Sequence, residues 1–157
     1  MAKENAYLRY ALGFMTILLV IFGISLVLAT VFILLGVMNL RFGHGGVELT
    51  AQFGNGSQLE SLLSLVNSYI IFAVFYCVRL FLANIVADRI FVDTNVKIAK
   101  WSSLLLLLLA FLTKGILTIG GYSFFNIDYI VTAMMVWSIA IILAKANQIA
   151  EENEFTI

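Results

Sequence analysis

The sequence predicts an all-α protein, a polytopic membrane four-helix bundle with both termini in the cytoplasm. It is 62% hydrophobic and 11% charged, with a mean hydropathy of +1.05, whereas about a quarter of the residues in a soluble domain are charged. Four apolar runs reach the roughly 20 residues that a membrane-spanning helix needs. Short loops rich in Lys and Arg stay in the cytoplasm, and the placement of these residues sets the orientation. The 157 residues therefore make a single transmembrane domain, 1–157.

The first helix is expected over about 11–37. This run is longer than the roughly 7–15 apolar residues of a signal peptide, so we expect it to remain in the mature protein. Ser25, Ala29 and Gly36 fall close to one helical face, and such small residues let a neighbouring helix approach closely. The alternative is that small residues are simply frequent in membrane helices.

An outer loop is expected over 39–64, where the chain becomes polar and rich in glycine. Apolar and polar residues alternate over 46–53 and turn residues follow, which favours a small hairpin. The loop holds His44, the single histidine, for which a solvated side chain is favoured over a metal ligand because a metal site needs further ligands.

The sequence indicates no enzyme and no bound cofactor. The single cysteine, Cys77, lies in an apolar run, where a thiol usually acts as a small hydrophobic group. Catalysis needs a nucleophile with a base, or a cluster of ligands, and no such arrangement is evident. We therefore expect no catalytic, cofactor-binding or metal-binding residues.

The second helix, about 65–87, carries Arg79 about eight residues, hence roughly 12 Å, from its cytoplasmic end. A charge at the centre of a membrane helix costs at least ~2.5–3.5 kcal/mol, so such a residue is a candidate functional residue. The alternative is that Arg79 extends towards the headgroups while stacked on Phe75 or Tyr76. Asn84 is a candidate for a hydrogen bond between helices.

The cytoplasmic loop is expected over 88–100. Asp93 or Thr94 is a plausible N-cap for a helix that starts near Asn95 and continues into the third span. Trp101 fits an interfacial anchor. The predicted cytoplasmic segments contain Lys3, Arg9, Arg89, Lys97, Lys100 and Lys145, whereas Arg41 is the single basic residue of the outer loops.

The third and fourth helices are expected over about 101–120 and 126–145. Lys114 lies near the outer end of the third helix, and Asp128 lies in the first turn of the fourth, where the helix dipole favours a carboxylate. We expect Lys114 and Asp128 to pair, because pairing relieves the cost of each charge in a partly desolvated place. A stripe on the fourth helix is expected to face the bundle, and it consists of Ala133, Trp137, Ala140 and Ala144.

The cytoplasmic tail is expected over 146–157. It carries three acidic residues but ends in the apolar pair Phe155 and Ile157, so it can dock on the protein or on a partner instead of remaining solvated.

Two stretches, Phe91-Val92-Asp93-Thr94-Asn95 and Glu152-Asn153-Glu154-Phe155-Thr156-Ile157, resemble motifs of a family of small bacterial four-helix integral membrane proteins of unknown function. Members of this family are often encoded beside a helix-turn-helix regulator of the phage-repressor type. The resemblance thus implies a multi-pass protein of the bacterial cytoplasmic membrane that binds a cytosolic transcription regulator. The partner-binding residues that it suggests are Phe91, Asn95, Glu152, Asn153, Thr156 and Ile157.

Two functions remain open on the sequence. The first is a regulatory or sensory membrane protein that binds its cytosolic partner through the inner loop and the tail. The alternative is a small transporter, channel or immunity-type protein that uses Arg79 and Lys114. Both functions require contact with the lipid bilayer, and a homo-oligomer stays open. A net charge of zero does not favour direct binding to nucleic acid.

Overall fold

Four long helices account for most of the chain and confirm the predicted all-α membrane bundle. The computed structural model describes residues 2–37, 41–44, 47–50, 58–113, 118–119, 122–123 and 125–154. All four helices are long and apolar enough to cross a membrane. Their bounds are α1 Ala2–Val37, α2 Gln58–Val86, α3 Asp93–Leu112 and α4 Ile127–Glu154.

Two short antiparallel hairpins lie in the connections at one end of the bundle. β1 (Arg41–His44) pairs with β2 (Val47–Thr50), and β3 (Thr118–Ile119) pairs with β4 (Tyr122–Ser123). The alternating stretch 46–53, for which a small hairpin is predicted, contains β2, and β2 pairs with the preceding strand β1. In the first hairpin Arg41 is opposite Thr50 and His44 is opposite Val47.

Several helices begin or end away from the expected bounds. α1 starts at Ala2 and α2 at Gln58, so residues 58–64 belong to a helix and not to the outer loop. The tail predicted over 146–157 is helical as far as Glu154. The physical reason is common to all three: these polar stretches contain no Pro or Gly, and Gln, Glu, Leu, Lys and Ala are good helix formers.

The third helix is shifted by about two turns towards the N-terminus relative to the expected 101–120. α3 covers Asp93–Leu112, so most of the predicted loop 88–100 is helical, and the connection from α2 is short. Thr113 has extended dihedrals and its backbone N–H donates to Leu109 O, which ends the helix. β3 and β4 then occupy a stretch rich in Gly and β-branched residues, which favour turns and strands.

The N-cap prediction for α3 is wrong by one or two residues. Val92 takes the N-cap position with extended dihedrals and makes no side-chain capping bond, so Asp93 and Thr94 lie inside the helix. Asp93 Oδ1 instead accepts a hydrogen bond from Asn147 on α4.

The helices pack mainly on their neighbours in the chain, and α2, α3 and α4 share the core. Leu106 and Leu109 of α3 and Ala133 of α4 are buried together, and Ser103 Oγ donates to Ala133 O at 2.8 Å. Ala140 is also fully buried, as predicted for the α4 stripe, but Trp137 is 46% exposed. The two alanines provide the close approach of α3 and α4, because they lack the bulk that would separate the backbones.

α1 packs against α2 and leaves most of its apolar surface open. Phe22 makes edge-to-face contacts with Phe72 and Phe75, with ring centroids 5.9 and 6.0 Å apart. Of the predicted small-residue face, Gly36 is buried, whereas Ser25 and Ala29 are exposed beside the buried Leu26. Exposed apolar surface of this extent is what lipid covers in a membrane protein.

Candidate functional site

The candidate site lies at the end of the bundle where α2 is joined to α3. We call this the loop end; it comprises residues 87–92, the first two turns of α3 and the last turns of α4. The connection starts with a Schellman motif, the 6→1 and 5→2 pattern of bonds that closes many helices. Arg89 N–H donates to Asn84 O at 2.9 Å, and Asp88 N–H donates to Ile85 O at 3.0 Å. Asp88 holds the left-handed position of the motif, with φ 56.

Asn95 fixes the rest of this connection. Its side chain is 1% exposed, and Nδ2 donates to both Arg89 O and Ile90 O at 2.8 Å. Its Oδ1 accepts a bond from Asn84 Nδ2 at 2.7 Å. An asparagine has two donors and one acceptor oxygen, so all three polar functions are engaged. The loop is therefore held in one shape by a side chain that crosses from α3 to the end of α2.

The amide of Asn95 is engaged within the chain and sets the shape of the loop. A direct contact of Asn95 with a partner stays a prediction. Phe91 is 57% exposed, and Ile90 beside it is exposed as well. The loop thus exposes two apolar side chains next to the exposed charged residues Asp88 and Arg89, and a buried polar side chain supports it.

A groove of mixed charge lies beside the loop, between α3 and α4. Its volume is about 370 Å³. The polar side chains that line it are Asp93, Lys97, Lys100, Asn147, Gln148 and Glu151. The groove extends over about two turns of each helix and is lined by the basic residues Lys97 and Lys100 and the acidic residues Asp93 and Glu151, so it can contact acidic and basic groups of the same ligand.

Asn147 is the most deeply buried polar residue of the groove, and no pattern in the sequence predicts its role. It is 6% exposed, and Nδ2 donates to Asp93 Oδ1 at 3.5 Å, which is long for a hydrogen bond. Its Oδ1 is buried and has no partner among the residues that the structure describes. A buried polar atom without a partner costs about 1–3 kcal/mol. A donor of a bound partner would recover that energy once the Asn147 side chain turned towards the groove, because the oxygen is buried in this conformation.

The structure describes only the first residues of the C-terminal motif, which runs from Glu152 to Ile157. Glu152 is exposed near the end of α4, and Asn153 lies in the last turn of the same helix. Thr156 and Ile157 lie outside the described residues. The groove residue Glu151 immediately precedes the motif, so the motif starts next to the groove.

Arg79 lies away from the loop end, between α2 and α1. It is half-buried, and Nε donates to Thr16 Oγ1 at 3.2 Å. Thr16 Oγ1 in turn donates to Leu12 O at 2.8 Å. Of the two expected stacking partners, Phe75 makes an edge-to-face contact with Phe22, and Tyr76 lines the same groove as Arg79. Within the described part of the chain, Arg79 forms no ion pair.

Asp128 lies in the first turn of α4, as predicted, with its side chain exposed. Its backbone N–H donates to Asn126 Oδ1 at 3.0 Å, and Asn126 N–H donates to Ala110 O at 2.8 Å. Asn126 therefore ties the start of α4 to α3. The predicted pairing with Lys114 lies outside the described residues, because Lys114 is not among them.

Among the residues that the structure describes, no group of three His, Cys, Asp or Glu side chains is placed to hold a metal ion. Comparisons with protein-family models, curated proteins and solved structures found no match. The four helices of membrane-spanning length place the protein in the class of multi-pass helical membrane proteins.

Proposed function

We propose that this protein is a regulatory membrane protein of the bacterial cytoplasmic membrane, and that its loop end binds a cytosolic transcription regulator of the helix-turn-helix type. The observation that carries the proposal is the buried, unpartnered Oδ1 of Asn147 at the base of the charged groove. The motif resemblance supports the identity of the partner.

The orientation follows from charge. Lys97 and Lys100 lie in the first turns of α3, beside Arg89. Basic residues near the ends of membrane helices favour the cytoplasmic side. The exposed Trp101 then lies at the depth of the headgroups, and the groove lies just outside the lipid.

The groove suits a polypeptide segment. A backbone or side-chain N–H of the partner can donate to Asn147 Oδ1 when the buried side chain turns towards the groove. Lys97 and Lys100 can pair with acidic side chains of the partner, and Asp93 and Glu151 with basic ones. Charge-assisted hydrogen bonds of this kind are stronger than neutral ones.

Phe91 provides the apolar anchor next to the groove. Binding energy at protein interfaces concentrates in a few residues, commonly large ones that become fully desolvated. The Asn95 bonds hold the loop before the partner arrives, so little conformational entropy is lost on binding. Retention of the regulator at the membrane would separate it from DNA, and the proposed signal is the state of the outer loop or of the bilayer.

The alternative transport function has less support. Arg79 lines a groove between α1 and α2 whose other lining residues are almost all apolar. A path for ions or peptides needs water and polar groups along its length.

The test is site-specific photo-crosslinking in intact cells. A photoreactive phenylalanine is placed at Phe91 or, as the matched control, at Phe111, which is 63% exposed on α3. We expect position 91 to form an adduct with a helix-turn-helix protein, and position 111 to form none. Equal products at both positions, or adducts at position 91 with lipid alone, would contradict the proposal.

A further inference from the structure

We propose that the groove between α1 and α2 binds one anionic phospholipid, with its phosphate at Arg79 and one acyl chain along α1. The groove has a volume of about 600 Å³. This site is separate from the loop-end groove and does not depend on the proposed regulatory function.

Arg79 brings a positive charge to the groove. Its guanidinium has five N–H donors, and the recorded bond to Thr16 uses the one on Nε. Within the described residues no carboxylate pairs with it. Nor does any acidic residue occur in the sequence between Glu60 and Asp88 or between Glu4 and Glu48. The Nη groups are therefore available to an external anion, and a phosphate accepts bidentate bonds from arginine.

The groove is polar in one part and apolar in the rest. Its polar lining residues, Thr16 and Arg79, lie together, and Tyr76 is one turn from Arg79 along α2. From Thr16 the groove continues along α1 past Gly23 to Leu28, about 18 Å at 1.5 Å per residue. That part is lined by aliphatic and aromatic side chains. A cation at one end of an apolar groove complements a ligand with an anionic head and a hydrocarbon chain.

The groove runs in the same direction as a phospholipid in the leaflet at the loop end. Arg79 is seven residues, or about 10 Å, from the end of α2 at Val86. The apolar part of the groove extends from Arg79 away from the loop end, towards the middle of the span. A phospholipid in the leaflet at the loop end has the same arrangement, with its phosphate near the surface and its chains directed inwards.

Gly23 provides the space for the chain. A Cβ at this position would lie 3.4 Å from Cε2 of Phe72, which is ordinary contact, so alanine would fit but a larger side chain would extend into the groove. Substitution to leucine would therefore fill the volume that the acyl chain needs without altering the charge of Arg79.

A second copy of the chain is a poorer occupant. It would bring α1 or α2 against the groove, and neither has an acidic residue at the depth of Arg79. The symmetric contact would place two arginines without counter-charges in a lipid-facing interface. An anionic lipid supplies the missing charge, and anionic headgroups are concentrated at the cytoplasmic surface.

The experiment is native mass spectrometry of the full-length protein released from nanodiscs. The nanodiscs contain equal amounts of phosphatidylglycerol and phosphatidylethanolamine with identical acyl chains. We expect the wild-type protein to retain one phosphatidylglycerol about ten times as often as one phosphatidylethanolamine. This ratio is the one expected for a single charge-assisted contact. Arg79→Gln should remove the preference, and Gly23→Leu should lower retention of both lipids.

Lys145→Gln is the matched control, because Lys145 is an exposed cation that does not line the groove; its preference should equal that of the wild type. The wild-type comparison needs no variant, so the proposal is tested even if Arg79→Gln does not fold. Equal retention of the two lipids by the wild-type protein, or a dimer in place of the lipid-bound monomer, would overturn the proposal.

Discussion

Asn84 on α2 donates a 2.7 Å hydrogen bond to Oδ1 of Asn95 on α3, and this bond joins the last turn of one helix to the first turn of the next. Because Asn95 also donates to two carbonyls of the connecting loop, a single side chain holds three consecutive parts of the chain. The exposed Phe91 is positioned by this network, although it takes no part in it.

Replacement of Asn95 by alanine should destabilise the protein by about 2–4 kcal/mol, because it leaves the Asn84 amide and two loop carbonyls without their partner. Thermal unfolding in detergent measures the change. Thr94→Ala is the control, since Thr94 is the exposed neighbour on the same helix turn. Equal melting temperatures for the two variants would show that the network does not hold the loop.

The left-handed residue Asp88 should tolerate glycine but not valine. Its φ of 56 lies in a region that glycine adopts freely and that a β-branched residue avoids. Asp88→Gly should leave the free energy of unfolding unchanged or raise it, whereas Asp88→Val should lower it by about 1–2 kcal/mol. A valine variant as stable as the glycine variant would mean that the Schellman turn does not form.

Ala140 should not accept a larger side chain. It is fully buried and lies seven residues after Ala133 on the same face of α4, where α3 packs. Ala140→Leu should cost about 1–3 kcal/mol through overpacking. Met134→Leu, at an exposed position of the same helix, should be nearly neutral. Resistance to unfolding by sodium dodecyl sulfate distinguishes the two, and similar resistance would contradict close packing of α3 and α4.

Asn147→Leu should weaken partner binding without lowering the stability of the protein. The variant removes a buried oxygen that has no partner among the described residues, and it loses only the long 3.5 Å bond to the exposed Asp93, so the melting temperature should stay the same or rise. Crosslinking of the regulator from position 91 should fall at least about tenfold, the loss expected for about 1.4 kcal/mol of binding energy. Lys145→Gln, which does not line the groove, should leave crosslinking unchanged. Full crosslinking by Asn147→Leu would exclude the groove from the partner surface.

Hydropathy was sufficient to predict the four spans, because backbone groups in lipid must bond within their own segment and a helix is the structure that achieves this. It did not predict where the helices end. Hydropathy assigns the polar segment from Asp93 to Trp101 to a loop, whereas the capping residues predict a helix that starts near Asn95, and α3 does start at Asp93. A helix extends beyond the lipid without penalty when its residues favour helix.

The site was predicted less well, for two physical reasons. An asparagine in a charged segment suggests a surface residue, and nothing local in the sequence indicates that Asn95 folds back onto loop carbonyls. The Asn147–Asp93 and Arg79–Thr16 contacts join residues 54 and 63 positions apart, so they depend on how the helices rotate against each other. Periodicity in a uniformly apolar span does not define that rotation.

The central claim is that the loop end faces the cytoplasm and presents Phe91 there. Cysteine labelling tests it directly, with Phe91→Cys and Leu59→Cys each placed in a Cys77→Ala background; both positions are exposed, at opposite ends of α2. A membrane-impermeant maleimide applied to intact spheroplasts should label position 59 at once and position 91 after permeabilisation. Labelling of position 91 in intact spheroplasts would contradict the account.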